Sequence, residues 1–218
     1  MALGVNYESS VGGGDFLPVV KYNAKAGRWS RVARDNGSNE EIDITRNFKA
    51  VFDFENIEVG HISFVAGQAP DFSMVPFGDR IPAAPTSNHK SGVRLLIKLS
   101  PDCGGDVREL ASVAKAFLGG IDRLHDDYEA GSMQNPGKLP VVVMSDTLPI
   151  TSEGKGQKST NYAPVFTIEK WVNRPADLVA SPRGPSTAKA EAPARATPPS
   201  TGSTRASAPF SNDDDDFG

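Results

Sequence analysis

The chain has 218 residues, of which 38% are hydrophobic and 23% charged, and its formal net charge is -4. A single cysteine, Cys103, rules out an intramolecular disulfide and fits a reducing compartment. No run of about 18 apolar residues offers a membrane-spanning helix, and the opening MALGVNYESSVGGGDF lacks the basic-then-apolar order of a secretion signal. A cytoplasmic protein with no membrane partner is expected. Residues 1 to 180 carry 19 Lys and Arg against 22 Asp and Glu, so affinity for a polyanion must come from local clusters of cations, not from the net field. That length suits one domain with its own core.

Residues 18 to 34, PVVKYNAKAGRWSRVAR, alternate apolar and polar on both sides of Asn23-Ala24-Lys25-Ala26-Gly27. The pattern predicts a hairpin in which Asn23 faces Arg28 and Tyr22 faces Trp29. Residues 42 to 54, IDITRNFKAVFDF, read as one long strand with Phe48, Phe52 and Phe54 on a common face. Glu55-Asn56 then predicts a turn into a partner strand over 57 to 66. Residues 67 to 92 are rich in Pro and Gly and predict an irregular excursion with a short strand around 72 to 75. A buried strand follows at 93 to 99, VRLLIKL.

Val107, Leu110, Ala111, Ala114, Phe117, Leu118, Ile121, Leu124 and Tyr128 recur at three- and four-residue spacing, which predicts a helix over 105 to 129 with Asp106 at its first turn. Gly119-Gly120 predict a bend in it. Two strands, 140 to 145 and 162 to 172, close the body, separated by a Gly-containing loop at 151 to 161. The expectation is a mainly β domain with one helix over residues 1 to 180. Strands, one helix, then two strands is also the order of an oligonucleotide-binding barrel with five core strands, here with an additional hairpin.

Residues 181 to 212 are mostly Pro, Ala, Ser and Thr with Phe210 as the one large hydrophobe, a composition that cannot bury enough surface to offset its ordering entropy. They predict a disordered linker. The chain then ends Asp213-Asp214-Asp215-Asp216-Phe217-Gly218, and the four carboxylates equal the net charge of the whole chain. A globular body, such a linker and an acidic tip with a terminal Phe resemble the single-stranded DNA-binding proteins of bacteria and their phages. Direct adjacency of Asp216 and Phe217 is closer to the phage type. The resemblance implies an OB-type body that coats single-stranded DNA in replication, recombination or repair. It also implies a tip, Asp213 to Phe217, that recruits partner enzymes and competes with DNA.

Binding a single strand without reading its sequence calls for rings on which bases stack and for cations along the backbone track. The first hairpin offers Tyr22 and Trp29 with Lys21, Lys25, Arg28, Arg31 and Arg34. The two rings equally suit an ordinary packed cross-strand pair. Lys155 and Lys158, set among Gly and Ser, suit a clamp on phosphates. In the last strand Phe166 and Trp171 fall on opposite faces by period two, so Phe166 is expected in the core and Trp171 at the groove. Phe48, Phe52, Phe54, Phe64 and Phe117 are expected in the core.

An enzyme is not expected. His61, His89 and His125 are isolated and no paired Cys stands at metal-ligand spacing, so neither a metal nor a cofactor is called for. Cys103 reads as a small structural residue. The alternative reading is a structural or assembly protein whose acidic tail meets a basic partner. The oligomeric state is left open, a homo-oligomer included.

Overall fold

The computed structural model describes residues 17–179 apart from 36–37 and 155–156. Among the described residues the chain forms β1 (Val19–Asn23), β2 (Arg28–Asp35), β3 (Ser38–Asp43), β4 (Lys49–Phe52), β5 (Glu58–Ser63), β6 (Asp71–Pro76), β7 (Lys90–Leu99), β8 (Val107–Ser112), α1 (Lys115–Ser132), β9 (Lys138–Gly154) and β10 (Gln157–Asn173). It is a mainly β body with one α-helix. The strands join in one sheet in the order β10-β9-β4-β7-β8-β1-β2-β3, with β5 and β6 branching from β7. The sheet curls until the Tyr162 N–H donates to the Ala24 carbonyl at 2.6 Å, which brings β10 back to the β1–β2 turn.

The first hairpin has the expected register, with Tyr22 opposite Trp29 and Asn23 opposite Arg28. Asn23 organises the turn, since its carbonyl accepts from Gly27 N–H at 2.8 Å and its side chain from Lys25 N–H at 3.0 Å. Gly27 has φ 65°, a left-handed turn position that favours glycine. The expected strand at 72 to 75 appears as β6 and the one at 93 to 99 as β7.

The run from 42 to 54 is not one strand. A 3₁₀ turn at Thr45–Asn47 separates β3 from β4, and a second at Phe54–Asn56 follows β4. The predicted hairpin at Glu55-Asn56 is also absent. β4 and β5 both run antiparallel to β7, with Phe52 opposite Ile97 and Glu58 opposite Arg94. They form one strand line interrupted by an insertion, because residues 53 to 57 face only Leu95 and Leu96. Burial explains the interruption: Asp53 is fully buried and ion-paired with Arg174 through two bonds of 2.7 Å, so this turn is where the end of the body fastens to the sheet. Leu178 completes the fastening against Leu96 and Leu139.

The helix begins later than its periodicity predicts. Residues 107 to 112 form β8, antiparallel to β7 and parallel to β1. Arg108, Leu110 and Ser112 are buried and alternate with half-buried residues, the period of a strand. Arg108 decides the matter, for its guanidinium is buried and donates to the carbonyls of Val19 and Val32 at 2.9 Å each while pairing with Asp106 at 2.8 Å. Asp106 therefore serves Arg108 and not the helix. α1 runs without interruption through Gly119-Gly120; a Cβ at Gly120 would lie 2.8 Å from the Pro164 carbonyl oxygen, so this glycine lets the helix press onto β10.

The core lies between the curled sheet and α1. Trp29 stacks on Phe48 with centroids 3.9 Å apart, and Phe117, Phe52 and Phe166 surround them. Each large buried ring stabilises the fold by roughly 1.5–3 kcal/mol relative to exposure. Phe64, expected among them, is 51% exposed beside the β5–β6 turn.

Candidate functional site

β9 and β10 are each 17 residues long and pair along their whole length, so the flexible loop expected at 151 to 161 is the outer part of a two-stranded arm. β9 meets β4 only through Val141, Val142 and Val143, with Lys49 opposite Val143. Beyond that point the ribbon continues past the end of β4 from which the turn Thr45–Asn47 leads. The outer arm is exposed on both faces, including Leu148 and Ile150. Lys158 is exposed there opposite Glu153, and the Thr151 and Thr160 hydroxyls meet at 3.2 Å. At the arm's root Gly27 sits against Tyr162 and Thr147, which joins the β1–β2 turn to it.

The same end of the sheet carries a groove of about 740 Å³ between β2, β3 and the turns at 45–47 and 101–103, lined by Arg28, Arg31, Arg46, Asp43 and Asp102. Thr45 builds one wall. Its Oγ1 accepts from Trp29 N–H at 2.9 Å, and its own N–H donates to Asp43 Oδ1 at 2.8 Å. Hydrogen bonds from Thr45 hold the Asp43 carboxyl below the usual carboxylate range, helped by Arg28 and Arg46. Arg28 pairs loosely with that carboxylate at 3.6 Å. Arg31, opposite Ile42 on β3 and Val20 on β1, is half-buried and forms no ion pair among the described residues. Three guanidinium groups and two carboxylates leave the groove one positive charge in excess. Planar forks of N–H donors suit phosphate oxygens, singly or in pairs.

The sequence-predicted site divides along burial. Lys21, Lys25 and Arg28 are exposed on the first hairpin, with Arg31 at the groove. Tyr22 and Trp29 are not available as stacking platforms, because Trp29 is fully buried and Tyr22 is 9% exposed with its hydroxyl donating to the Tyr162 carbonyl at 3.0 Å. They are the packed cross-strand pair, 5.2 Å apart, and burial pushes the Tyr22 phenol up to about 12. Trp171 is not at the groove either. It stacks on Tyr128 of α1 at 5.6 Å, with Gly131 leaving room for the ring. Phe166 is in the core as expected, yet both rings face the helix, since the bulge at Ile168/Lys170 lies between them and shifts the period-two count by one. Lys155, the Arg34 side chain and the tip Asp213, Asp214, Asp215, Asp216 and Phe217 lie outside the described residues.

Arg46, Asp43 and Asp102 do not stand out in the sequence. Arg46 is hidden within an apolar alternation that reads as strand, and only Thr45, a residue that caps turns through its hydroxyl, signals otherwise. Cys103 is buried and its thiol donates to the Asn47 carbonyl at 3.0 Å, tying the turn at 101–103 to the turn at 45–47 beneath the groove. Among the described residues no three His, Cys, Asp or Glu side chains gather as a metal site requires, and no helix is long and apolar enough to cross a membrane. No family model, curated protein or solved structure matches this chain.

Proposed function

We propose that this chain is a non-enzymatic single-stranded DNA-binding protein that covers exposed strands in replication or recombination, and that its tip at 213 to 218 recruits partner proteins. The observation that carries the reading is the groove of Arg28, Arg31 and Arg46, set at the end of the sheet from which the β9–β10 arm leaves. In a body with more acidic than basic residues, three guanidinium groups on one groove are the local clustering that a polyanion requires.

The strand order supports the same reading. Taking β4 and its continuation β5 as one line, the ladder β8-β7-β4-β9-β10 with α1 between β8 and β9 follows the plan of an OB barrel, five strands with a helix between the third and fourth. β1, β2 and β3 are then an additional ribbon on β8. The β9–β10 arm takes the place of the loop between strands four and five, which in that plan borders the nucleic acid. On this reading phosphates run along Lys25, Arg28, Arg31 and Arg46, and the arm with Lys158 covers the strand.

Fluorescence anisotropy of a labelled dT oligonucleotide and of a duplex, over a range of salt, tests it. The single strand is expected to bind more tightly, and log K to fall linearly with log salt as condensed counterions are released. Arg46→Ala and Arg28→Ala are each expected to make that slope shallower by about 0.7. Equal affinity for the duplex, or slopes unaffected by either variant, would overturn the proposal.

A further inference from the structure

We propose that Arg31 is a fixed phosphate contact within the groove and that Gly104 is the residue that positions it; the proposal rests on reading the groove as a nucleic-acid site. Arg31 lies two residues beyond Trp29 on β2, on the strand face that the core occupies, so its side chain leaves along the rim of the core. There its guanidinium crosses the turn at Pro101–Cys103. A Cβ on Gly104 would stand 3.0 Å from Arg31 Nε and 3.1 Å from Cζ, so the guanidinium fills the space that any other residue's side chain would take. Gly104 itself has φ 117°. The turn is anchored below by Cys103, whose thiol bonds the Asn47 carbonyl.

The guanidinium held there is incomplete by itself. Nε is buried without a hydrogen-bond partner, and no carboxylate among the described residues pairs with the group. A buried donor left without an acceptor is costly and uncommon. A phosphodiester entering the groove brings oxygen acceptors and a negative charge to a cation already stripped of part of its water. This differs from Arg28, which is exposed and already shares Asp43.

The two neighbouring glycines provide a matched comparison. Gly104 and Gly105 both lie at positive φ, 117° and 71°, so alanine strains the backbone at either position. Only at 104 does the new methyl meet Arg31; at 105 it would lie 3.6 Å from Pro101 Cα, an ordinary contact. Gly104→Ala, Gly105→Ala, Arg31→Ala, Arg31→Lys and the Gly104→Ala/Arg31→Ala double variant are to be titrated with a dT oligonucleotide over a range of salt, after thermal melts of each.

Arg31→Ala is expected to weaken binding on the order of tenfold, the loss of one charge-assisted contact, and to lower the salt slope by about 0.7. Gly104→Ala is expected to lower the slope similarly, Gly105→Ala to keep the wild-type slope, and the double variant to match Arg31→Ala alone. Arg31→Lys, which leaves both glycines in place, is expected to bind several-fold more weakly than wild type because an ammonium lacks the planar fork; it decides the role of Arg31 should Gly104→Ala fail to fold. Wild-type binding with an unchanged Arg31→Ala or Arg31→Lys overturns the contact. Gly104→Ala behaving as Gly105→Ala, or adding fully to Arg31→Ala, overturns the positioning alone. A wild-type protein with no affinity for the oligonucleotide overturns the function on which both rest.

Discussion

Trp29 is legible as one of a facing pair of aromatics, and the register of β1 and β2 is as expected, but the direction in which the pair points is set by α1 and by the turn that leads into β4, which bring Phe117 and Phe48 onto it. Trp29→Ala is therefore a core deletion, expected to destabilise the fold by about 3–5 kcal/mol in urea unfolding, and any loss of DNA affinity should follow the unfolded fraction. An equally stable variant would remove Trp29 from the core. Tyr22 gives a pH signature. Its phenol titrates near 10 when unfolded and about 12 when folded, so the folded state holds a proton that the unfolded state loses in that interval. The contribution of Tyr22 is thus fully present below pH 10 and is lost as pH rises toward 12. Tyr22→Phe is expected to cost about 1 kcal/mol at neutral pH through the lost bond to Tyr162 and to show a shallower fall in stability between pH 10 and 12 than wild type, measured by denaturant midpoints. Parallel curves for the two proteins would contradict the assignment.

At the scale of elements, α1 and the end of the body carry contrasts that the sequence does not separate. Gly119 and Gly120 look alike in the chain, yet a Cβ at 119 has only the Arg123 guanidinium at 3.9 Å while one at 120 meets the Pro164 carbonyl at 2.8 Å. Gly119→Ala should stabilise the protein by up to about 1 kcal/mol through helix propensity, and Gly120→Ala should destabilise it by about 1–3 kcal/mol through overpacking. Thermal melts showing the same sign for both would refute the close packing of α1 on β10. The latch behaves asymmetrically too. Arg174→Ala leaves the buried Asp53 carboxylate, among the described residues, with Asn56 Nδ2 as its one side-chain donor, at 3.0 Å, and is expected to cost about 3 kcal/mol. Asp53→Asn should cost less, because Arg174 is 30% exposed and keeps Glu55 at 2.7 Å.

For the whole molecule, the composition of residues 181 to 212 predicts a tether that would return an anionic tip to a cationic groove at millimolar effective concentration. Removing residues 213 to 218 is then expected to tighten oligonucleotide binding, most at low salt where attraction is least screened, and to abolish capture of partner proteins; unchanged affinity at all salt concentrations would argue against competition by the tip. The hairpin within 18–34, the strand at 93–99 and the helix after 115 are legible because alternation and helical spacing are local and each element keeps its own period. The outer arm reads as a loop in the sequence because polar residues on both faces leave no burial pattern, and it is the pairing of β9 with β10 that makes strands of it. β8 reads as helix because Val107, Leu110, Ala111 and Ala114 fall at helical spacing, while two of the three residues that its strand period buries, Arg108 and Ser112, are polar and hide the alternation. Sequence by itself determined the class of the body, the register of the first hairpin and the location of the charged tip, since these depend on composition and neighbours along the chain. Tertiary structure alone decided that Trp29 is core and that Arg28, Arg31 and Arg46 share a groove, because burial and charge clustering depend on residues that pairing and turns bring together from distant parts of the chain.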